Sequence, residues 1–170
     1  MHTADIADPQ RIRGIAVYDL FSPELELKLM AVCQRIAEHL DVPTVMITAV
    51  LDSATATLAT SNPADSIPVD VSGFPNEISF GPIAVRTRES YVVDDLTTHP
   101  DHATNPLVET GLLGALASVP IILPSGDVLG YFSVACSDPH HFTDADIATL
   151  AATVEEIVQL IRQHEFAYQH

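Results

Sequence analysis

The run His99-Pro100-Asp101-His102 could set two imidazoles and a carboxylate on one loop turn, a donor set that a metal or haem iron would accept. Metal sites take three or four ligands, and only Asp94, Asp95 and Asp101 lie nearby in sequence. Solvated loop histidines are therefore the expectation, with neither haem nor metal assigned. Asp94 and Asp95 could share acid/base work if one were desolvated enough to keep its proton, but ending a strand beside a loop is the simpler role. Arg86 and Arg88 stand out in a chain with 7 basic against 23 acidic residues. Either could anchor an anionic ligand at a pocket mouth, and a surface ion pair is the plainer expectation. Cys33 and Cys136 sit among apolar residues without a CxxC or Cys/His cluster, so both read as buried, reduced thiols. His140 and His141 read as surface groups ahead of a helix. No Gly-x-Ser-x-Gly, phosphate-cradling loop or dinucleotide fingerprint occurs, and no catalytic residue is assigned.

An apolar set, Phe80, Ile83, Leu107, Leu116, Tyr131 and Phe132, could line a small-molecule cavity between a sheet and two long loops. Strand alternation must turn half of such a set toward helices instead. Tyr131 matters most, because a buried phenol wants a hydrogen-bond partner and a ligand could be one. Arg86, Asp95, His99, His102, Ser118 and Ser133 complete the candidate ligand-binding residues.

The elements that must position these groups follow from period and punctuation. Ser22-Pro23 supplies a cap and a first helical residue, after which Leu25, Leu29, Val32, Ile36 and Leu40 recur at helical spacing, predicting a helix over 23–40. Pro43 stops it, and TVMITAVL (44–51) and TATLAT (55–60) read as a hairpin. Prolines 63, 68 and 75 with Gly73 make 61–76 a long loop. A short helix within 78–87 cannot start much before Gly81 because of Pro82, and YVV (91–93) reads as a third strand. Residues 94–113 form a second long connection, with one helical turn at 106–110. ALASVPIIL (115–123) and VLGYFSVAC (128–136), joined through Pro-Ser-Gly-Asp, form an antiparallel hairpin. Phe142, Thr143, Asp146 and Ile147 make a staple and a capping box that start a helix at about Asp144. Its stripe Ile147, Leu150, Val154, Ile157 and Ile161 is widened by Ala151 and Val158, enough to meet both a sheet and a second surface. Strands that come in hairpins framed by terminal helices predict an α+β fold: an antiparallel sheet of five to six strands, terminal helices on one face, loops and short helices on the other.

Apolar residues at 47% with only 18% charged place the chain in the folding regime, and 170 residues suit one domain. The expected division is a flexible lead-in at 1–10, one domain at 11–164 and a tail at 165–170. A formal net charge of −16 repels phosphate backbones and anionic bilayers, so neither nucleic acid nor membrane is expected as a partner. No apolar run reaches the roughly 18 residues of a membrane span, and MHTADIADPQ lacks the features of a signal peptide, which points to the cytoplasm.

Several stretches carry a resemblance. SVPIILPSGDVLGYFSVAC (118–136), with Ser118, Pro120, Gly126 and Gly130, is similar to the last two strands of the GAF family. HHFTDADIATLAATVEEI (140–157) resembles that family's terminal helix, RIRGIAVYDLFSPELELKLM (11–30) its lead-in in bacterial sensor kinases and stand-alone proteins, and NPLV (105–108) its pocket-side loop. The resemblance spans roughly residues 11–162 and implies a GAF/PAS-like fold with a signalling or regulatory role. The Asn-Lys, Phe and Asp-Glu signature of the cyclic-nucleotide branch is missing. The bilin branch attaches its chromophore through a cysteine usually followed by His, whereas Gln34 follows Cys33 and Ser137 follows Cys136, so no covalent bilin is expected. Gly81 stands where the resembling subgroup often has a Cys.

Three functions follow as expectations. The first is a sensory domain that binds a small molecule or protein partner through loops 61–77 and 94–113 and relays it through terminal helices that pair in a homodimer. A free methionine-(R)-sulfoxide reductase is the second, an activity known among small stand-alone GAF proteins that would need two cysteines close together in the pocket. A ligand-free interaction module, its cavity filled by its own side chains, is the third. A pocket of roughly a few hundred Å³ favours the first and a filled one the third.

Overall fold

A computed structural model describes residues 6–61 and 74–166, so most of the proline-rich loop expected at 61–76 lies outside the described residues. The chain runs α1 (Pro9–Ala16), α2 (Pro23–Leu40), β1 (Thr44–Val50), β2 (Ala54–Thr60), β3 (Phe74–Pro75), α3 (Gly81–Thr87), β4 (Tyr91–Val93), a 3-10 turn (Leu96–Thr98), α4 (Pro106–Glu109), β5 (Ala115–Ile122), β6 (Val128–Cys136) and α5 (Asp144–Arg162). The strands form one antiparallel sheet in the order β3-β2-β1-β6-β5-β4. This is the α+β architecture expected.

Local chemistry sets the main boundaries. Ser22 caps α2, its hydroxyl accepting from Leu25 N, and Pro23 follows where a missing N–H costs nothing. Asp41, left-handed at φ 54°, ends the helix. The capping box of α5 is reciprocal: the Thr143 hydroxyl accepts from Asp146 N at 3.1 Å, and the Asp146 carboxylate accepts from Thr143 N at 3.0 Å. Gly126, at φ 90°, closes the β5–β6 hairpin in a conformation that a side chain would strain.

Strand alternation divides the sheet into two faces. Val45 and Ile47 of β1, Ala117, Val119 and Ile121 of β5, and Phe132, Val134 and Cys136 of β6 join Leu25, Leu29, Val32 and Ile36 of α2 and Leu150, Ile157 and Ile161 of α5 in the main core. Met46, Leu116 and Ala135 face the other way, toward Phe80, Leu96, Leu107 and Leu113. β6 lies between β1 and β5 and is buried along its whole length. Gly130 is required there, since a Cβ on it would sit 2.2 Å from the Thr48 carbonyl oxygen of β1. No helix among the described residues is long and apolar enough to cross a membrane.

Helix α1 has no counterpart in the sequence reading. Its eight residues are too few for a persuasive period, yet Asp8 caps it, accepting from Gln10 N at 3.0 Å, and Pro9 opens it. What fixes it is Arg11, only 5% exposed. Its guanidinium donates to the carbonyls of Val128 (2.9 Å, from Nε), Ile6 (2.9 Å, from Nη1) and Val50 (from Nη2). It thereby ties α1 to the end of β1 and the start of β6. Burial lowers its pKa, and the nearby charges of Asp127 and Asp8 oppose that shift.

Arg11→Ala strips buried carbonyls of a charged donor, and the expected loss is about 3 kcal/mol, or a melting temperature roughly 6–12 °C lower. A melt within two or so degrees of the parent would show that α1 is held by its apolar face alone.

Candidate functional site

On the face away from α2 and α5, a cavity of about 50 Å³ lies between the sheet and the segments of α3 and α4. Its floor is Met46 and Thr48 of β1, Thr55 and Thr57 of β2, Leu116 of β5, and Tyr131, Ser133 and Ala135 of β6; Phe74, Ser79, Phe80, Gly81, Leu107 and Leu113 cover it. Every one of these residues is uncharged. Gly81 opens α3 with its backbone pressed on the sheet, for a Cβ there would lie 2.7 Å from Val50 Cγ2 and 3.0 Å from Thr55. No side chain, and hence no cysteine thiol, fits at that position without movement.

The hydroxyls of the wall are largely committed to the protein. Thr48 Oγ1 both donates to the Tyr131 carbonyl and accepts from Tyr131 N, each at 3.3 Å. Thr55 Oγ1 donates to Asn76 Oδ1 at 2.8 Å, and the Ser79 hydroxyl accepts from Gly81 N at 3.0 Å. Ser133 and the fully buried Ser118 share a hydrogen bond of 2.7 Å. The phenol of Tyr131 donates to the Glu89 carbonyl at 3.0 Å, and burial pushes it up to about 12. The partner expected of a ligand is thus a main-chain oxygen. Thr57 makes no side-chain hydrogen bond among the described residues.

The candidate residues separate cleanly. Phe80, Leu107, Leu116, Tyr131 and Ser133 line the cavity, and Ser118 lies behind Ser133. Phe132 is in the helix-side core, and Ile83 packs against the cavity-side clusters without lining the space. Arg86 is exposed. Asp95 caps the 3-10 turn, accepting from Thr97 N at 2.9 Å, and the Thr97 hydroxyl bond holds its carboxyl below the usual range. Arg88 donates to the Gly126 carbonyl at 2.8 Å, and neither it nor Arg86 joins an ion pair among the described residues, in place of the surface pairing expected. Asp94 does end a strand: it accepts from His141 at 2.8 Å and from Phe142 N at 3.3 Å, fastening β4 to the start of α5.

His99 and His102 stack on each other, centroids 4.4 Å apart, outside the cavity wall. His102 also bonds the Tyr91 hydroxyl and sets its ring at 61° to Phe80, at 4.9 Å. His102 therefore buttresses a wall residue. Among the described residues no three of His, Cys, Asp and Glu converge as a metal would need. Both thiols lie on the helix side of the sheet, opposite the cavity, and burial pushes Cys33 up to about 12 and raises Cys136.

Sequence reasoning missed the contributions of Met46, Thr48, Thr55, Thr57, Leu113 and Ala135. The available signal was alternation: with Tyr131 and Ser133 assigned to the pocket, Ala135 follows on the same strand face, and Met46 and Thr48 share a face of β1.

Two outcomes follow. Burial first, and then His99, lower the pKa of His102 below the usual histidine value of 6.5, with Asp101 opposing. The native state thus favours the neutral ring: this contribution to stability is complete above pH 6.5 and fades as pH falls through the lowered value. Melts across a pH series should show a shallower acid limb in His102→Asn than in the parent, and parallel curves would refute the assignment. Second, neither thiol should react with a disulfide reagent at pH 8 until denaturant is added; prompt labelling of folded protein would mean that one of them is accessible.

A family model described as GAF domain matches residues 29–162. Comparison with curated protein sequences gives no match. Solved structures share the fold. A type II free methionine-R-sulfoxide reductase from Thermoplasma acidophilum superposes with a TM-score of 0.66 at 15% identity, covering 86% of this chain and 98% of that one. The GAF domain of a phosphoenolpyruvate-protein phosphotransferase from Coxiella burnetii gives 0.65 at 19%, covering 91% and 92%. A domain of a putative two-component sensor histidine kinase from Sinorhizobium meliloti gives 0.60 at 16%, covering 84% and 94%. With the family match running from α2 to the end of α5 over an antiparallel sheet of this order, the chain belongs to the GAF domain family.

Proposed function

We propose that this GAF domain is a regulatory module that works through protein contacts, its α2 and α5 pairing with those of a second copy and carrying the signal. The observation that carries the reading is the cavity. At about 50 Å³ it is far below the roughly 300–1,000 Å³ of ordinary small-molecule sites, and about a third of the ~150 Å³ that admits benzene. Of its wall hydroxyls, those of Thr48, Thr55, Ser79, Tyr131 and Ser133 already bond protein groups. On the other face, Leu27 of α2 is 68% exposed, and Arg35 of α2 is tied to Glu156 of α5 at 3.1 Å, which makes the two helices one surface.

The Thr57 hydroxyl, without a hydrogen bond among the described residues and beside apolar walls, supports a second reading, a sensor for an uncharged ligand of very few atoms. The reductase reading loses its support on geometry. It would need a thiolate facing substrate, and both cysteines are on the wrong side of the sheet.

Light scattering at roughly tens of micromolar should give a dimer, and Leu27→Glu combined with Ala152→Glu should give a folded monomer that still melts cooperatively, lower only by the lost stabilisation of pairing. A monomeric parent would refute the pairing. Native mass spectrometry with an absorption spectrum of fresh protein should show the bare polypeptide mass, and a retained small molecule would favour the second reading.

A further inference from the structure

The larger apolar concavity lies elsewhere, at the meeting of the chain's two described ends. There the link between α1 and α2 pairs with the residues after α5: Asp19 N donates to the His164 carbonyl at 2.8 Å, and Phe166 N donates to the Val17 carbonyl at 2.7 Å. Beside this short ladder is an open groove of about 370 Å³, formed by Ile12 of α1, Phe21, Leu51 after β1, and Phe166. Phe21 is 62% exposed and Phe166 47% exposed. Solvated phenylalanines on the rim of a concave apolar patch are unusual on a surface that meets only water, and aromatic anchors dominate protein interfaces.

The charge of the groove selects its occupant. The charged side chains lining it are Asp19 and Asp52, and neither is in an ion pair among the described residues. Glu165 lies close enough to help burial raise the Tyr18 phenol, with Arg162 as the opposing cation. These carboxylates belong to a chain of net charge −16. An acidic segment, a nucleic acid or an anionic bilayer would be repelled, whereas an apolar segment carrying lysine or arginine gains attraction to both aspartates.

We propose that this groove docks a basic amphipathic protein segment, its apolar side chains seated between Phe21 and Phe166 and its cations facing Asp19 and Asp52. The proposal rests on the reading that the domain works through protein contacts, though not on its being a dimer. An occupant here touches the N-terminal approach to α2 and the chain leaving α5 at once. It acts on both transmitting helices without entering the cavity.

The test is fluorescence anisotropy of the full chain with three labelled helical peptides of equal length: one with leucines on one face and lysines on the other, one with the lysines replaced by glutamates, one with the leucines replaced by serines. The leucine/lysine peptide should bind at least about tenfold tighter than either control. Phe21→Ser and Phe166→Ser, which leave the charge untouched, should each weaken it about tenfold, and Asp52→Asn should weaken it with a reduced salt dependence. Val92→Ser, an exposed apolar change on the edge strand β4 outside the groove, should leave binding unaltered. Melts of the two phenylalanine variants within error of the parent show that folding is intact; should either fail to fold, Phe21→Tyr and Phe166→Tyr replace them with a smaller expected loss. Equal binding of the serine/lysine peptide would reduce the effect to bulk charge and overturn the proposal. So would unchanged binding by the phenylalanine variants, or sedimentation showing that Phe21→Ser splits a dimer, which would make the groove a contact between copies. A monomeric parent that still binds the peptide would refute the pairing of α2 and α5 and leave this groove standing.

Discussion

Arg11 is a buried cation with no carboxylate in contact among the described residues, and it stays where it is because carbonyls from three separate segments converge on it. Burying a charge is costly unless its donors are matched, and four main-chain oxygens, of Val50 in β1, Val128 and Leu129 in β6 and Ile6 before α1, do the matching while Asp127 and Asp8 contribute at longer range. The consequence is positional. With α1 fixed across the end of the sheet, Ile15 enters the main core and Ile12 becomes a wall of the surface groove. Remove the guanidinium and the groove loses one side, although the sheet and its capped helices keep their own reasons to form.

The second constraint is the double burial of β6. A strand covered on both faces sorts its side chains by parity alone, and here that sorting separates chemistry from space: Cys136 and Phe132 go to the helices, Tyr131 and Ser133 to the cavity. On the cavity side the hydroxyls of Ser133, Thr48 and Tyr131 find partners locally, in Ser118, in the Tyr131 backbone and in the Glu89 carbonyl, as buried polar groups mostly must. That internal satisfaction closes the space as effectively as bulk does. A polar ligand entering it would have to replace hydrogen bonds that the protein already makes, which is a poor exchange unless the incoming group reproduces them.

Where a signal was local the sequence was legible. Pro23 to Leu40, the hairpin about Gly126 and the capping box at Thr143 are written in contiguous residues, and the helices and strands start and stop where those residues direct. The resemblance also reached the family, because its residues lie in the same contiguous stretches. Illegible parts depend on distance in the chain. Arg11 reaches Val128 across 117 positions, and nothing in RIRG distinguishes a buried staple from a surface cation. β3 has two residues and exists only as the partner of Thr55 and Ala54. The loop residues follow the same rule: His99, His102 and Asp95 stand out in sequence by chemical type, but their places are set by Tyr91, Phe80 and Thr97, and those contacts leave them outside the cavity wall.

These facts separate the molecule into an occupied side and an accessible side. Any regulation needs a ligand with different free energies in two arrangements of the domain, and contacts that reach the moving elements. The cavity touches α3, α4 and the sheet, but the main core lies between it and α2 and α5, so a ligand there would have to act through the packed sheet. The junction of Val17–Asp19 with His164–Phe166 needs no such relay. A short ladder joins the two described ends there, each end continues directly into a helix, and an occupant of the proposed site beside the ladder would contact both. An interior cavity of only about 50 Å³, and described ends that meet beside an open apolar groove, both favour the proposal that regulation reaches this domain from the groove.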